Sequence, residues 1–144
     1  MKRYIYLLVA FILILGMLLV CYNKLNDQRN SANSIFNKAM SSANTNGQYF
    51  ILVDAPNWCK DCVALEDLFR ANYGKSIAST IKEIGASRII LKSNNCDDNS
   101  AEVNELLSRC EIKNVPSLII FKEETFFVTT EISEIATTLF NATN

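Results

Sequence analysis

The sequence predicts an α/β protein in which a mixed sheet is flanked by helices, preceded by one N-terminal transmembrane helix. Residues 4–22 form an uncharged, mostly apolar stretch of membrane-spanning length. After it, short continuous apolar runs, typical of buried strands, alternate with segments whose apolar residues recur at helical spacing. The resulting order, β-α-β-α-β-β-α, favours a mixed central sheet with helices on both faces.

The composition excludes several classes of function. The chain has 144 residues and no histidine, so Ser-His catalysis, Cys-His catalysis and histidine-ligated metal sites are excluded. Of its 14 basic and 15 acidic side chains, only Lys2 and Arg3 fall in residues 1–22, which leaves the remainder with a net charge of −3. A mildly acidic globule lacks the concentrated basic surface that nucleic-acid binding needs. We therefore expect no nucleic-acid partner.

The apolar stretch at residues 4–22 predicts a signal-anchor, because its length allows a helix to span the hydrocarbon core. Two alternatives stay open. A cleaved signal peptide usually has a shorter apolar stretch and an A-x-A pattern, which residues 18–22 lack. A lipoprotein would carry its lipid on Cys21, but Val20 is not the small residue expected before that cysteine.

Charges on either side of the apolar stretch predict its orientation. Lys2, Arg3 and the α-amino group precede it, whereas Lys24 is the nearest basic residue after it. The positive-inside rule then keeps the N-terminus in the cytoplasm and exports the rest of the chain. We expect a single-pass protein of the cytoplasmic membrane whose C-terminal domain faces the periplasm or the cell exterior.

The exported part divides into a tether and a domain. Residues 23–46 are predicted as a tether that contains a short amphipathic helix within 31–43, and residues 47–144 as the globular domain. Buried strands are predicted at 49–53, 88–91 and 117–121, with a fourth strand at 125–128 pairing with the third. Helices are predicted from Cys62 to Gly74 and over 76–85, 99–109 and 131–140.

Cys59 and Cys62 form a Cys-x-x-Cys pair between a predicted strand and a predicted helix. This position puts Cys59 at a helix N-terminus, where free backbone N–H groups and the helix dipole stabilise a thiolate. The thiolate is the nucleophile, so Cys59 is predicted to attack and Cys62, one turn further on, to resolve the mixed disulfide. Lys60 favours the thiolate and Asp61 opposes it, so both are candidate tuning residues.

Two other uses of the pair are weaker. Zinc would need two more ligands, and the only candidates, Cys96 and Cys110, are 14 residues apart, so no metal site is predicted. A purely structural Cys59–Cys62 bridge would close too small a loop to add much stability. For Cys96 and Cys110, three interpretations stay open: a second disulfide, two inert buried thiols, or a regulatory or relay pair. No metal or organic cofactor is expected.

Together with Trp58-Cys59-x-x-Cys62, the motif Val115-Pro116-Ser117 makes the sequence resemble the thioredoxin family. The stretches FILVDAPNWCKDCVALEDLF and VNELLSRCEIKNVPSLIIFK carry the resemblance, over about residues 47–130. Within the family, the likeness is closest to the C-terminal thioredoxin-like domain of the transmembrane thiol reductase DsbD. The resemblance implies a cis peptide bond before Pro116, pairing of Val115 with the substrate backbone, and shielding of the disulfide by Trp58.

The sequence departs from the family pattern beside the first strand. The buried carboxylate that thioredoxins carry six residues before the first active-site cysteine falls on Val53. Asp54, one residue later, is expected on the opposite face of the strand. Whether a carboxylate exchanges a proton with Cys62 therefore stays open, and it depends on a slip of the strand by one residue.

These observations predict a membrane-anchored, extracytoplasmic thiol–disulfide oxidoreductase that reduces disulfides of exported proteins. Its substrates are protein thiols and disulfides, and its electrons come from a membrane-embedded donor. Two alternatives stay open: a disulfide oxidase or isomerase that uses the same residues, and a non-catalytic thioredoxin-fold module of a membrane complex.

Overall fold

The computed structural model describes residues 13–23 and 34–143, apart from the side chain of Cys96. The chain divides into two units, with the boundary after Ser34. In the first unit, residues 13–23 are helical (α1), and the side chains of Leu13, Met17 and Leu18 are more than half exposed. Among the described helices, none is long and apolar enough to cross a membrane. Residues 4–12 of the predicted anchor and 24–33 of the predicted tether lie outside the described residues.

The second unit is an α/β domain with four strands. Its elements are α2 (Ile35–Asn46), β1 (Gln48–Asp54), α3 (Lys60–Tyr73), α4 (Ile77–Glu83), β2 (Ser87–Ile90), a 3-10 turn (Cys96–Asp98), α5 (Ala101–Arg109), β3 (Ser117–Lys122), β4 (Thr125–Thr129) and α6 (Ile132–Asn141). Their order confirms the predicted succession of strands and helices.

The sheet has the order β2-β1-β3-β4 and is mixed, as predicted. Strands β1 and β2 are parallel, whereas β3 is antiparallel to both β1 and β4. This topology is the one that the thioredoxin resemblance implies. Because Val53 of β1 lies opposite Ser117 of β3, the segment that leaves β1 and the segment that enters β3 meet at the same end of the sheet.

Helices cover both faces of this sheet. On β1, Ile51 and Val53 point into a core shared with α2 and α5, whereas Phe50 and Leu52 point into a second core with α3, α4 and α6. The predicted central position of this strand is confirmed, since it pairs on both sides and its apolar residues are buried on both faces. The helices therefore form two layers, with α2 and α5 on one face of the sheet and α3, α4 and α6 on the other.

The strand predicted at residues 88–91 is present, but it is not buried as predicted. Strand β2 is an edge strand whose residues are only partly buried, and Ile90 is 50% exposed. A continuous apolar run predicts a strand, but it does not distinguish a central strand from one at the edge, because that depends on pairing with distant residues.

Helix α2 is the predicted amphipathic helix, but it belongs to the compact domain. Phe36 and Ala39 are buried, and the Phe36 ring makes an edge-on contact with Phe121 of β3, with centroids 5.4 Å apart. The Arg109 guanidinium of α5 lies 3.8 Å from the centre of the Phe36 ring. The compact unit thus begins at Ile35, twelve residues before the predicted domain boundary.

Capping residues define the ends of three helices. Gly74 adopts a left-handed conformation with φ 67°, and its N–H donates to the carbonyl of Arg70, which ends α3 as predicted. The Ser76 and Ser100 side chains cap the N-termini of α4 and α5.

Candidate active site

Cys59 occupies the N-cap position of α3. Its backbone is extended, with φ −97° and ψ 114°, and its N–H donates to the carbonyl of Ala55 at 2.8 Å. The N–H of Cys62 donates to the Cys59 Sγ at 3.2 Å. Negative charge that develops on this sulfur is thus met by a backbone N–H and by the positive end of the helix dipole.

Cys62 lies one turn into α3 and is buried. Its Sγ accepts a hydrogen bond from the N–H of Ala55 at 3.3 Å. Burial is the main cause that raises the pKa of Cys62 to about 12, and its hydrogen bond with Cys59 and the nearby charge of Asp54 raise it further. Cys62 is therefore a thiol at neutral pH, and it must lose a proton before it can attack a disulfide.

Asp54 answers the question that the sequence left open, because its charge acts on Cys62. Asp54 is on the opposite face of β1 from Val53, as expected. Leu65 and Phe69 of α3 cover that face, whereas Cys62, at the start of the helix, packs in the core on the Val53 side. The Asp54 carboxylate is buried and close enough to Cys62 for its charge to raise the pKa of that thiol. The residue spacing along β1 does not reveal this effect, because it depends on where α3 places Cys62.

Arg88 of β2 binds this carboxylate from the neighbouring strand. Its Nη2 and Nε donate to Asp54 Oδ2 at 2.6 and 3.0 Å, whereas Asp54 Oδ1 is buried and has no hydrogen-bond partner among the described residues. Burial raises the pKa of Asp54, and the charge of Glu66 adds to this, although Arg88 acts in the opposite direction. No local sequence pattern predicts Arg88 as the partner of Asp54, because only the register that sets Leu52 beside Arg88 brings the two side chains together.

The loop before β3 brings Val115 and Pro116 against Cys59. The Val115–Pro116 peptide bond is cis, as the resemblance predicted, and Pro116 is buried. The Cys59 thiol donates to the Val115 carbonyl at 3.3 Å. The Ser117 hydroxyl donates to the carbonyl of Asn114 at 2.6 Å and so holds the turn. The two motifs of the sequence are thus in direct contact.

An open groove of about 790 Å³ lies beside Cys59. Its lining includes Trp58, Asp61, Pro116 and residues 130–133. Trp58 is 43% exposed, so part of its indole faces the groove and is available to a bound molecule. Of the two tuning candidates, Asp61 lines the groove and Lys60, which is exposed at the start of α3, does not.

Cys110 packs in the same core as Cys59 and Cys62 but does not line the groove. Cys110 is a buried free thiol, so the structure does not include the Cys96–Cys110 bridge that the sequence left open. Burial raises the pKa of Cys110 to about 11, which makes it poorly reactive at neutral pH. The Cys96 side chain lies outside the described residues. In the part of the chain that is described, no cluster of cysteine and carboxylate side chains could hold a metal ion.

Comparison with known proteins gives only distant similarities. No protein-family model matches the chain, and no curated protein sequence does. Among solved structures, the oxidised thioredoxin from Plasmodium falciparum is 16% identical, with 73% of this chain and 89% of that chain covered and a TM-score of 0.43. Mitochondrial thioredoxin 3 from Saccharomyces cerevisiae is 11% identical, with 74% and 89% covered and a TM-score of 0.47.

Fasciola hepatica thioredoxin is similar to the same extent, at 16% identity, with 71% of this chain and 88% of that chain covered and a TM-score of 0.44. These similarities are too low to assign a family or an activity. The chemistry of the site therefore rests on its own geometry, above all on the contacts of Cys59.

Proposed function

We propose that this chain is a thiol–disulfide oxidoreductase that reduces disulfides of exported proteins while anchored to the cytoplasmic membrane. The contacts of Cys59 carry the proposal. Its sulfur caps a helix, accepts the N–H of Cys62, contacts the Val115 carbonyl and lines an open groove. A sulfur in this setting is accessible to a substrate on one side and to a resolving thiol on the other.

In the first step, the Cys59 thiolate attacks one sulfur of a substrate disulfide. A bond forms between the two sulfurs, the substrate S–S bond breaks, and the second substrate sulfur leaves as a thiolate. The backbone of Val115 is positioned to pair with the substrate chain, and the exposed part of Trp58 offers it an apolar contact. The product of this step is a mixed disulfide at Cys59.

In the second step, Cys62 gives up its proton and attacks the Cys59 sulfur. The mixed disulfide breaks, the substrate sulfur leaves as a thiolate, and the chain retains a Cys59–Cys62 disulfide. The substrate has gained two electrons and the chain has lost two. We assign the proton to Asp54, whose Oδ1 is buried without a partner among the described residues and whose charge acts on Cys62. The raised pKa of this carboxyl suits proton exchange closer to neutral pH.

A further cycle requires two electrons from a partner. We propose a membrane-embedded dithiol as the donor, because a tether to the same membrane keeps the domain within its reach. The resemblance to the C-terminal domain of DsbD supports the direction of reduction. Wild-type chain that becomes trapped as Cys59–Cys62 disulfide in cells whose membrane dithiols are blocked would support this donor.

The membrane anchor and the extracytoplasmic location are part of the same proposal. They are supported by the uncharged stretch at residues 4–22, by the helical state and exposed apolar side chains of residues 13–23, and by the basic residues before them. A chain that stays in the pellet after alkaline carbonate extraction, and that activates a C-terminal reporter requiring export, agrees with this location. A chain released by carbonate contradicts it.

Reduction of insulin disulfides by the full chain tests the activity. We expect Cys59→Ala to abolish the reaction, and Cys62→Ala to accumulate insulin linked through Cys59. Cys110→Ala is the matched control, because it removes a buried thiol that lies apart from the groove, and it is expected to retain full activity. If Cys59→Ala and Cys62→Ala both replace the wild-type chain in cells without a defect, the chain is a non-catalytic module of a membrane complex instead.

A further inference from the structure

The free edge of β4 lacks the features that usually keep an edge strand from pairing with another chain. The sheet ends at β2 on one side and at β4 on the other. Strand β2 has four residues and carries Arg88, whereas β4 (Thr125–Thr129) has neither a charged residue nor a proline. In β4, Phe127 is 61% exposed and Val128 is 36% exposed. Because short length, charge and proline are the usual protections, β4 is the less protected edge.

The backbone of β4 offers hydrogen bonds on that edge. Lys122 and Thr125 are paired and flank a two-residue turn, so Thr125 and every second residue after it bond to β3. The N–H and C=O groups of Phe126 and Val128 then point away from β3. In the described part of the chain, neither of these two residues makes a backbone hydrogen bond outside the sheet. A further strand at this edge would therefore bond to Phe126 and Val128.

The sequence of β4 is self-complementary about its central residue. Phe127 is preceded by Thr125 and Phe126 and followed by Val128 and Thr129. When two copies of the strand run antiparallel with Phe127 opposite Phe127, Phe126 lies opposite Val128, and Thr125 lies opposite Thr129. Aromatic–aromatic, aromatic–β-branched and Thr–Thr pairs are cross-strand pairs that stabilise antiparallel sheets. Any shift of this register leaves part of β4 unpaired.

Charges near the two ends of β4 fit the same pairing. Lys122 of β3 pairs with Thr125, and Glu134 of α6 accepts a hydrogen bond from the Thr129 hydroxyl at 2.6 Å, on the same face of the sheet. In the self-complementary register, Thr129 is two strand spacings, about 10 Å, from Lys122 of the second copy. A lysine side chain is long enough to approach Glu134 across this distance. Among the described residues, neither Lys122 nor Glu134 forms an ion pair.

We propose that the β4 edge is a dimerisation surface whose partner is a second copy of this chain. The two β4 strands pair antiparallel about a two-fold axis between the two Phe127 residues, and the two four-stranded sheets become one continuous sheet. A symmetric dimer requires a self-complementary surface of this kind, because the same residues must fit both partners. Five residues from each copy form a small interface, so the dimer dissociates readily. This inference goes beyond the proposed activity and does not depend on it.

Paired cysteines test both the dimer and its register. In the full chain with all five native cysteines replaced by alanine, one form carries Thr125→Cys and a second, differently tagged form carries Thr129→Cys. In the proposed register, Thr125 of one copy and Thr129 of the other have Cα atoms about 5 Å apart, which allows a disulfide. The two copies of Thr125 are about 14 Å apart, which does not. Under mild oxidation of co-expressed chains, we expect the mixed dimer as the main product and loss of both same-residue dimers.

A charge at the centre of the strand provides a second measurement. Phe127→Lys removes the central aromatic pair and sets two ammonium groups opposite each other, so we expect the yield of the mixed dimer to fall by about tenfold or more. Ile90→Lys is the matched control, since Ile90 is a 50% exposed apolar residue on the other edge strand. It should leave the yield unchanged. Cooperative thermal unfolding of each variant checks that it is folded.

Equal yields of the mixed and the same-residue dimers would overturn the proposal, because the cross-links would then come from random collisions. Absence of every cross-link in folded chains would also overturn it and leave this edge to a partner other than a second copy. A yield that Phe127→Lys leaves unchanged, or that Ile90→Lys lowers equally, would place the contact outside β4.

Discussion

The Arg88 guanidinium holds one oxygen of the Asp54 carboxylate, at 2.6 Å from Nη2 to Oδ2, and leaves the other oxygen buried without a partner among the described residues. The pair joins β1 to the edge strand β2, and the charge of Asp54 acts on Cys62 of α3. A carboxylate fixed through one oxygen keeps the second oxygen available for a proton. This contact links the sheet to the chemistry of the resolving thiol.

Replacing Asp54 by asparagine should separate the two steps of the reaction. Asp54→Asn removes the proton acceptor, so we expect resolution by Cys62 to slow by about a hundredfold or more, while attack by Cys59 stays near the wild-type rate. Quenched reactions with insulin measure both steps. Asp97→Asn, at an exposed carboxylate of the 3-10 turn that does not line the groove, is the control. Equal resolution rates in Asp54→Asn and the wild type would remove Asp54 from the mechanism.

The same substitution should change stability in a pH-dependent way. Because the pKa of Asp54 is raised in the folded state above its usual value of 3.8, its favourable contribution is complete below that value and is lost as the pH rises through the folded-state pKa. Asp54→Asn should therefore raise the free energy of unfolding at neutral pH, by on the order of 1 kcal/mol.

This gain should disappear near pH 3, at which Asp54 is protonated in both the folded and the unfolded chain. Urea denaturation of the variant and the wild type at the two pH values checks it. A variant that is less stable than the wild type at neutral pH would show that Arg88 stabilises the carboxylate more than burial destabilises it.

Alkylation of Cys62 should require strongly alkaline solution. Burial is the largest cause of the raised pKa, so in Cys59→Ser, with the other cysteines replaced, Cys62 should still titrate above 9, the ordinary value. We expect the rate of reaction with iodoacetamide to rise about tenfold per pH unit up to the pKa of Cys62, because only the thiolate reacts. The same chain in urea provides the reference. A plateau below pH 9 in the folded chain would contradict the burial argument.

Trp58 should contribute to substrate binding and not to the stability of the fold. Because its indole is 43% exposed beside the groove, Trp58→Ala should lower kcat/KM for insulin about tenfold, as the loss of an aromatic contact can. Its free energy of unfolding should change by less than about 1 kcal/mol. Phe127→Ala is the matched control, since Phe127 is 61% exposed and does not line the groove. Equal kcat/KM values for Trp58→Ala and Phe127→Ala would exclude a role in binding.

The first helix of the domain should be essential for folding. Phe36→Ala should lower the free energy of unfolding by about 3–5 kcal/mol, because it empties a site packed by Phe121, Phe126 and Arg109. Ser41→Ala, at an exposed position of the same helix, is expected to have little effect. Thermal and urea denaturation measure both variants. A Phe36→Ala chain as stable as the wild type would place α2 outside the folded core.

The sequence was sufficient to predict the parts of the fold that depend on local signals. Apolar runs located β1 and β3, and Gly74 marked the end of α3. These features depend on neighbouring residues, so a single sequence reveals them.

The features that the sequence missed depend on contacts between distant residues. The partner of Asp54 is 34 positions away, on a strand whose register no local pattern specifies. Phe36 contacts Phe121 across the domain, so α2 could be predicted as a helix and not as part of the core. The effect of Asp54 on Cys62 likewise depends on the path of α3, which a count of residues along β1 does not reveal.

The reduction potential of the Cys59–Cys62 pair tests the central claim most directly. It is measured on the full chain with Cys21, Cys96 and Cys110 replaced, by equilibration with thiol–disulfide buffers of known potential. The account predicts a value near that of thioredoxin, about −270 mV, at which the dithiol readily gives electrons to protein disulfides. A value near −120 mV, at the strongly oxidising end of the range, would contradict it and make the chain a donor of disulfides.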